Sequence, residues 1–486
     1  MTSPSHGGDP EFESQRAHTI LFAQEVLKDV LRSIKPDQQE TERLAHFVEF
    51  ITKKVEEIAE RLSIELEVML VGSAARGTWI RGEHDLDLFL AFDPSETRAE
   101  LELNGIEIGK AVVNEDYSDE EFHCVSYEKE YAEHPYIRAT FEDREGSRYE
   151  VDIVPCFAVS DPTKIESAVD RTPFHNRYVL SKIRGIEDEV RLLKQFMKGM
   201  GVYGSELRRQ GFSGYLTELL VIRYGSFLDV IKAAATSWKK GTRIDIESHG
   251  RYRGDDPLVV IDPVDPMRNV AAALSLDNLS RFIDGATRFL ERPGIEFFFP
   301  PPPEEIDEDE LREVINERGT RLLFIVFDRP PVVDDILFPQ LRRSAQAVVD
   351  LLHREGFRMY RGAATWADSE HAVILLELEV SRLPGIKKHT GPPVWSRKHA
   401  SRFRHKYKES RFGIYIENGR YVVEIKREHT DAKELLNARL REIALGKNLK
   451  KAPFAIIDGE EIMGVLKGKE FKVFLRGYFF SHRDCL

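Results

Sequence analysis

The stretch from Leu66 to Leu90 constrains the fold of this chain more than any other part of the sequence. An apolar run that predicts a strand ends at Val71, and Gly72-Ser73 opens a short segment with helical propensity. After a turn at Arg81-Gly82, apolar residues return at every second position, which predicts a second strand with one buried face. A strand, a short helix and another strand in so short a stretch indicate a mixed α/β or α+β unit.

The second strand carries two acidic residues, Asp85 and Asp87, which alternate with Leu86 and Leu88. Residues two apart in a strand point the same way, so the two carboxylates share one face, about 6.6 Å apart along the backbone. Holding two such charges together is costly unless a divalent cation offsets their repulsion, and oxygen-only ligands suit Mg²⁺ or Mn²⁺. The pair therefore predicts a metal site.

The Gly72-Ser73 pair precedes this strand, where an extended segment turns into a short helix. Free backbone N–H groups and the positive end of the helix dipole can cradle a phosphate group there. Ser73 adds a hydroxyl donor, and Arg76 adds a positive charge. A phosphate cradle beside a metal-binding carboxylate pair indicates nucleotidyl transfer better than either feature does alone.

A third acid is usually needed to complete two metal sites, and the β-prone stretch Tyr149–Phe157 supplies Asp152. Glu150 shares the face of Asp152 and stays an alternative for that role. Taken singly, two acids in a strand are more often a solvated edge, and a Gly-Ser pair is more often a helix N-cap. The combination of the turn, the paired acids and a later acidic strand favours a functional interpretation.

The length of 486 residues predicts about three domains, at about 150 residues for each. Apolar residues at helical spacing predict an amphipathic helix over Glu40–Leu62, and helical runs dominate from Ser181 to Ala235. The prolines that follow Phe299 predict a stiff, extended connector, because consecutive prolines cannot continue a helix.

Beyond the prolines, the patterns predict a strand at Leu322–Phe327, a helix at Pro339–Gly356 and a strand at Ala372–Val380. This order predicts a small βαβ-like sheet. We therefore expect a disordered leader followed by three domains, with bounds at 1–16, 17–178, 179–298 and 299–486.

The net charge of -13, from 70 Lys and Arg against 83 Asp and Glu, argues at first against a nucleic-acid partner. The acids are concentrated, however, in segments such as Asn114–Glu121 and Pro303–Glu310. Ile386–Arg411, which we call the basic strip, holds nine Lys or Arg and one acid, a local balance of +8. Clustered cations follow a phosphate backbone and aromatic rings stack on unpaired bases, so the strip predicts RNA binding. The alternative is a solvated basic face whose aromatic residues belong to a core, these being Trp395, Phe403 and Tyr407.

The three cysteines, Cys124, Cys156 and Cys485, lie far apart with no CxxC pair, which argues against a zinc ribbon and a disulfide framework. A reducing, cytoplasmic location is the simplest interpretation. No apolar run approaches the roughly 20 residues that span a bilayer, and the N-terminus has no pattern of a targeting signal. We expect no membrane association.

The sequence resembles the class I nucleotidyltransferases, and most of all the archaeal-type CCA-adding enzymes, which build the 3′ CCA end of tRNA. The resemblance begins with Gly72 through Asp87 and with Asp152, and it covers nearly the whole chain after the leader. Its further segments are Asp170–His175, Gly211–Leu220, Asp262–Val270 and His389–Val394.

The resemblance implies an α+β multidomain protein. Its parts would be an N-terminal nucleotidyltransferase domain of polymerase β-like α/β fold, a helical central domain and a C-terminal α/β RNA-binding region. The implied activity is template-independent addition and repair of CCA on tRNA from CTP and ATP, with release of pyrophosphate. The implied cofactor is Mg²⁺ in a two-metal site, with Mn²⁺ as an alternative, and the implied RNA contacts are to the tRNA acceptor stem and elbow.

Residue by residue, the resemblance implies that Asp85, Asp87 and Asp152 are both catalytic residues and metal ligands. Some relatives have Glu at the first of these positions. Nucleotide contacts are implied for Gly72, Ser73, Arg76, His175, Lys194, Tyr203 and Arg268, with Arg268 at the edge of the base. RNA contacts are expected from Lys387, Lys388, Arg397, Lys398, Arg402, Arg404, Lys406 and Lys408.

Two alternatives stay open at this point. A poly(A) polymerase-like RNA nucleotidyltransferase shares the catalytic core and differs in its product. A non-catalytic RNA-binding protein is more remote, because it predicts a missing carboxylate or a broken Gly-Ser turn, and neither is seen. The oligomeric state is open, a homodimer included, as is the question of whether Val473–Phe480 packs inside or meets a partner.

Overall fold

The computed structural model describes residues 10–480 except 119, 132, 163 and 164, with side chains described from residue 21 onward. The α-helices are α1 (Pro10–Ile34), α2 (Gln38–Leu62), α3 (Gly72–Arg76), α4 (Arg98–Val113), α5 (Thr172–Leu180), α6 (Glu187–Gly199), α7 (Gly214–Tyr224), α8 (Phe227–Ser237), α9 (Leu276–Glu291), α10 (Glu308–Arg318), α11 (Asp334–Glu355), α12 (Arg397–Lys406), α13 (Ala432–Arg439), α14 (Ile462–Val465) and α15 (Lys469–Phe480). The strands are β1 (Glu67–Val71), β2 (Asp85–Phe92), β3 (Phe122–Tyr131), β4 (Pro135–Asp143), β5 (Arg148–Phe157), β6 (Thr242–Asp245), β7 (Leu258–Ile261), β8 (Arg321–Asp328), β9 (Arg358–Met359), β10 (Ala364–Ala367), β11 (His371–Val380), β12 (Ile386–Pro393), β13 (Ile414–Glu417), β14 (Arg420–Lys426) and β15 (Phe454–Asp458).

The chain divides into two compact units between Pro301 and Pro302. The predicted connector lies at this division, and residues 300–307 form neither helix nor strand. The predicted boundary between residues 178 and 179 falls inside the first unit.

The first unit contains a five-stranded sheet in the order β1-β2-β5-β4-β3. Strands β2 and β5 are parallel, and the other neighbours are antiparallel. Helices α2 and α4 contribute to a core with one face of the sheet, which holds Leu86 and Leu88 of β2 together with Val151 and Ile153 of β5. The alternation predicted for these strands is therefore present, and the opposite face carries the acids.

A second core in the same unit is built by helices α5 to α9 together with the two-stranded parallel sheet of β6 and β7. Helix α1 joins this core through Leu27, Val30 and Ile34. The bounds predicted from the sequence divide α1 between the leader and the catalytic domain. It packs instead against α6, because its apolar stripe has its partners in the helical part of the chain.

The predicted leader at 1–16 is only partly within the described residues. Residues 1–9 lie outside them, whereas 10–16 form the first turns of α1.

The second unit contains a sheet in the order β10-β11-β8-β15, with β9 also paired to β11. The strand, helix, strand order predicted from the sequence is present as β8, α11 and β11. Strands β8 and β11 are antiparallel, however, so they do not form a parallel crossover. The returning chain passes through β9 and β10 first, which reverses the direction in which β11 enters the sheet.

The C-terminal helix α15 packs on this sheet through the buried side chains of Phe471 and Leu475. The stretch Val473–Phe480, left open by the sequence, thus contributes to a core. A separate three-stranded sheet in the order β12-β14-β13 has α12 packed against β12. None of the described helices combines the length and the apolar character needed to cross a membrane.

Candidate active site

The acids predicted to be catalytic lie on neighbouring strands of the first sheet. In the strand register, Asp87 of β2 is opposite Asp152 of β5, and Asp85 is opposite Glu150. All four line a cleft of about 620 Å³. Because β2 and β5 are parallel and in register, the two acidic strands present their carboxylates on the same face.

The backbone at position 72 requires a glycine. Its backbone φ is +76°, a conformation that residues with a side chain rarely adopt. A Cβ atom at this position would come within 2.0 Å of the Asp87 Oδ2 atom. The turn after β1 therefore approaches the Asp87 carboxylate more closely than any other residue type would allow.

The charged form of Asp87 is disfavoured in this structure. Burial, followed by the charge of Asp152, raises the pKa of Asp87 to about 6. Burial and the charge of Glu83 also raise the pKa of Asp85. Paired carboxylates with raised pKa values are typical of a functional site, because the repulsion between them is tolerated for a purpose.

Asp152 is the better candidate of the two acids on β5. After burial, the charge of Asp152 is the largest contribution that raises the pKa of Asp87. Asp152 is also directly opposite Asp87 in the register. Glu150 is exposed at the rim of the cleft.

Arg138 of β4 engages Asp152 directly. Its Nε atom donates to Asp152 Oδ1 and its Nη2 atom donates to Oδ2, both at 2.7 Å. Sequence reasoning missed Arg138, because a single arginine in a strand carries no local signal. Only the pairing of β4 with β5 puts it opposite Asp152.

The donor chemistry of the three aspartates fits a divalent cation such as Mg²⁺ or Mn²⁺, since every donor is a carboxylate oxygen. Among the described residues, no three His, Cys, Asp or Glu side chains are already gathered closely enough to hold a metal ion. Both oxygens of Asp152 accept from Arg138 instead. The residues fit a metal in type, and the Asp152 carboxylate is paired with Arg138 in this structure.

Arg76, predicted to contact phosphate, is held in place by groups from outside its own helix. Its Nε atom donates to Glu218 Oε1 at 2.9 Å and its Nη1 atom donates to Asn176 Oδ1 at 3.0 Å. Thr78 Oγ1 also donates to Glu218 Oε1, at 2.8 Å. Glu218 is almost fully buried, and its Oε2 atom has no hydrogen-bond partner among the described residues. Sequence reasoning missed Glu218 as well.

Lys194 lies against the same cluster from α6. Its ammonium group donates to the backbone oxygen of Thr78 at 3.1 Å. Burial lowers the pKa of Lys194 to about 8, while the charge of Glu218 opposes that shift. The ring of Tyr203 lies 5.9 Å from the ammonium group, and burial raises the pKa of its hydroxyl.

His175 and Arg268 line a neighbouring cavity of about 630 Å³ rather than the cleft itself. His175 Nε2 and Arg268 Nη1 each donate a hydrogen bond to Asp262 Oδ2 at 2.8 Å. The ring of His175 stacks on Tyr215 at 4.1 Å, and the Tyr215 hydroxyl donates to the other Asp262 oxygen. Asp262, which is fully buried, thus holds the two predicted nucleotide contacts in one orientation.

The structure therefore brings most of the predicted site residues of the first unit to one cleft, these being Gly72, Ser73, Arg76, Asp85, Asp87, Asp152, Lys194 and Tyr203. The cleft and the neighbouring cavity are adjacent along α7, because Gly214 lines the first and Ser213 lines the second. The charged residues of the cleft that the sequence did not indicate are Arg138, Glu206 and Glu218.

The basic strip lies in the second unit, on β12, α12 and the turn after α12. Three of its lysines are in ion pairs, Lys387 with Glu355, Lys388 with Glu417 and Lys408 with Glu409. The other five predicted RNA contacts are exposed on α12, and no carboxylate of the described residues lies within ion-pair distance of them. These are Arg397, Lys398, Arg402, Arg404 and Lys406.

Two of the cations of α12 lie where they do not stabilise the helix, whereas Arg404 and Lys406 are in its last turn, where the helix dipole favours positive charge. Arg397 and Lys398 occupy its first turn, where the helix dipole disfavours positive charge, and that turn contains no acid. Of the interleaved aromatic residues, Phe403 is buried against His389, whereas the side chain of Trp395 is exposed. Phe403 is thus a core residue, and Trp395 is available to a ligand.

Comparison with known proteins agrees with this geometry. Three family models match, described as a nucleotidyltransferase domain over residues 51–175, the second domain of tRNA nucleotidyltransferase over 188–299, and the C-terminal domain of CCA-adding enzyme over 318–463. They confirm the predicted order of a nucleotidyltransferase domain, a central domain and a C-terminal region.

Curated relatives match over most of their length. A CCA-adding enzyme of Methanosarcina acetivorans is 46% identical over 453 residues, covering 92% of this chain and 96% of that protein. CCA-adding enzymes of Methanoregula boonei and Halorubrum lacusprofundi are 42% and 40% identical, covering 86% and 88% of this chain and 88% and 92% of those proteins. With its sheet, its acidic cleft and this degree of identity, the chain belongs to the family of the CCA-adding enzymes, which are tRNA nucleotidyltransferases.

Proposed function

We propose that the cleft of the first unit transfers CMP and AMP from CTP and ATP to the 3′-hydroxyl of tRNA, building or repairing the terminal CCA without a nucleic-acid template. The observation that carries the proposal is the register that puts Asp87 opposite Asp152, beside the Gly72 turn and the cations Arg76 and Lys194. Acids for a metal and cations for a triphosphate in one cleft are what phosphoryl transfer requires.

The role of the protein in this reaction is positioning and charge. The RNA 3′-hydroxyl attacks the α-phosphate of the nucleotide, a new P–O bond forms, and pyrophosphate leaves. Arg76, Lys194 and Ser73 bind the triphosphate, and Asp152 is the candidate acceptor of the hydroxyl proton. Asp85, Asp87 and Asp152 would hold divalent cations, with Mg²⁺ preferred to Mn²⁺. When bound, these cations supply the positive charge that a two-metal site brings to the attacking and leaving oxygens.

For the nucleotide base, the neighbouring cavity is the proposed site. Asp262 accepts from both His175 and Arg268, so that Arg268 keeps further N–H groups in a fixed direction. Planar, oriented donors of this kind suit the edge of a base. We propose that Arg268 reads that edge and that His175 maintains the orientation through Asp262.

We propose that the acceptor stem and elbow of tRNA bind to the basic strip of the second unit. Exposed cations on α12 without ion-pair partners among the described residues suit a phosphate backbone. Contacts of this kind position an RNA by its shape and carry no sequence information. We also propose a cytoplasmic location. Light scattering would test whether the protein forms a homodimer.

The deciding experiment is primer extension on tRNA that lacks its 3′ end, with CTP alone, ATP alone and both together. We expect addition of CCA and no more when both nucleotides are present. An open-ended tail of A would support the poly(A) polymerase alternative instead.

The matched variant for this assay is Asp87→Ala. Its incorporation should fall below detection, while its tRNA affinity should stay within about twofold of wild type, because Asp87 lies in the acidic cleft and not on the basic strip. Asp93→Ala, at an exposed acid that follows β2, is the control and should keep full activity. Wild-type incorporation by Asp87→Ala would refute the assignment.

A further inference from the structure

Among the described residues that line the cleft, Arg138 is the one cation that the proposed function does not use. We propose that it is a positioning residue, an internal counter-ion that occupies Asp152 and that an incoming divalent cation must displace. The inference rests on the proposed function, since it concerns the same carboxylates. It adds a residue that controls when the third carboxylate becomes available.

The geometry of the pair is that of a strong interaction. Two parallel N–H···O bonds of 2.7 Å join the guanidinium of Arg138 to both oxygens of Asp152. Bidentate charge-assisted pairs of this kind are among the strongest polar contacts in proteins. Each oxygen of Asp152 keeps a second lone pair, but the guanidinium contacts both oxygens, so Arg138 and a cation compete for the charge of the same carboxylate.

The position of Arg138 suits a contact that can be exchanged. Its side chain is 43% exposed, whereas that of Asp152 is 19% exposed. It also donates to the Tyr136 hydroxyl at 3.2 Å. On the far side from Asp152, Glu128 of β3 is directly opposite Arg138 in the register, at a distance that cross-strand pairs can bridge. The guanidinium therefore has a second carboxylate within reach when it leaves Asp152.

The role of Arg138 follows from the charges that surround it in the cleft. Asp85, Asp87 and Asp152 lie on neighbouring strand positions, and the nearby Arg138 offsets part of the repulsion that Asp87 experiences. Without a cation in the cleft, Arg138 neutralises the third acid. A cation that binds Asp152 would have to replace the contact with Arg138. Weakly binding or monovalent cations would therefore be excluded.

The test is the affinity of the full-length protein for Mn²⁺, measured by electron paramagnetic resonance at pH 7.5 and low salt, without nucleotide or RNA. We expect Arg138→Gln to bind Mn²⁺ about tenfold more tightly than wild type, which is the scale of one charge-assisted pair. Arg138→Lys should lie between the two, because lysine keeps the charge and loses the bidentate geometry.

Two comparisons make the result specific. Arg148→Gln removes an exposed arginine of the neighbouring strand that pairs with Glu142 at 3.0 Å, so it controls for the loss of one positive charge. In an Asp152→Asn background, Arg138→Gln should change Mn²⁺ affinity by less than twofold, because the shared partner is gone. Thermal unfolding of each variant verifies that it is folded.

Unchanged or weaker Mn²⁺ binding by Arg138→Gln would overturn the proposal, as would an equal gain in Arg148→Gln. The readout uses no nucleotide and no RNA, so it separates this inference from the proposed function. A protein that fails to add CCA while its Arg138→Gln variant gains Mn²⁺ affinity would refute the function and keep the counter-ion role.

Discussion

Individual residues of the cleft lower the stability of the folded protein. Asp87 is buried beside Asp152, and burial followed by that neighbouring charge raises the pKa of Asp87 to about 6. Gly72 leaves room for the Asp87 carboxylate, and a glycine loses more conformational entropy on folding than any other residue. Such costs are expected where function, and not folding, determines the residue.

Asp87→Asn should therefore stabilise the cation-free protein. Because the folded-state pKa of Asp87 lies above its ordinary value, the folded protein binds more protons than the unfolded chain between about pH 4 and 6. Stability thus falls as pH rises through that window. At pH 8 in EDTA the variant should gain about 1–3 kcal/mol of unfolding free energy, measured by denaturant titration.

Below about pH 3 the gain should vanish, since Asp87 is then protonated in both the folded and the unfolded state. Asp93→Asn is the matched control, because hydrogen bonds from Ser95 lower the pKa of that exposed carboxyl. It should lose a little stability at pH 8. An Asp87→Asn variant that is less stable than wild type at pH 8 would contradict the prediction.

Elements far apart in sequence combine to hold the side chains that we propose bind phosphate. Glu218 on α7 accepts from Arg76 on α3 and from Thr78 just after it, and its charge supports the ammonium form of Lys194 on α6. The carboxylate links the short helix α3 to the helical core. The Oε2 atom of Glu218 has no hydrogen-bond partner in the part of the chain that the structure describes, so this carboxylate has one acceptor atom unused.

Glu218→Gln should weaken nucleotide binding most at alkaline pH. The amide keeps the shape and an acceptor for Arg76, but it removes the charge that opposes the lowered pKa of Lys194. Lys194 loses its proton above about pH 8 in the wild type. In the variant, this loss should begin at lower pH, and the Kd for ATP should rise about tenfold at pH 8, measured by calorimetry.

Glu189→Gln is the matched control for this experiment. Glu189 is a carboxylate of the same helical core, and it accepts from the backbone N–H of Phe227 and does not line the cleft. Its pH profile for ATP binding should follow that of wild type. Equal profiles for Glu218→Gln and wild type would show that Glu218 does not act through Lys194.

Elements that carry their own pattern could be predicted from the sequence, and those defined by distant partners could not. The acids of β2 and the helix α2 follow local alternation and local spacing, and both are present as predicted. Arg138 and Glu218 have ordinary local surroundings, and only strand pairing and helix packing bring them to the cleft. The antiparallel pairing of β8 with β11 was equally hidden, because strand direction depends on the path of the chain between them.

On the scale of the whole molecule, the net charge of -13 averages over regions of opposite character. The acids of the cleft belong to the first unit, whereas the exposed cations of α12 belong to the second. A negative total restrains indiscriminate binding to RNA. The local distribution, and not the total, then determines which surface an RNA contacts.

Reversing Lys406 and Lys408 together to Glu should weaken tRNA binding and flatten its dependence on salt. Each phosphate contact that is lost reduces the slope of log K against log salt by about 0.9, so the double variant should lose about 1 to 2 units of slope. Reversing Lys239 and Lys240, two exposed lysines of the first unit, makes the same change in net charge and is the control. Filter binding at several salt concentrations gives the slopes, and calorimetry should give the same Kd for ATP in all three proteins. If both double variants lost the same slope, the total charge and not the basic strip would govern RNA binding.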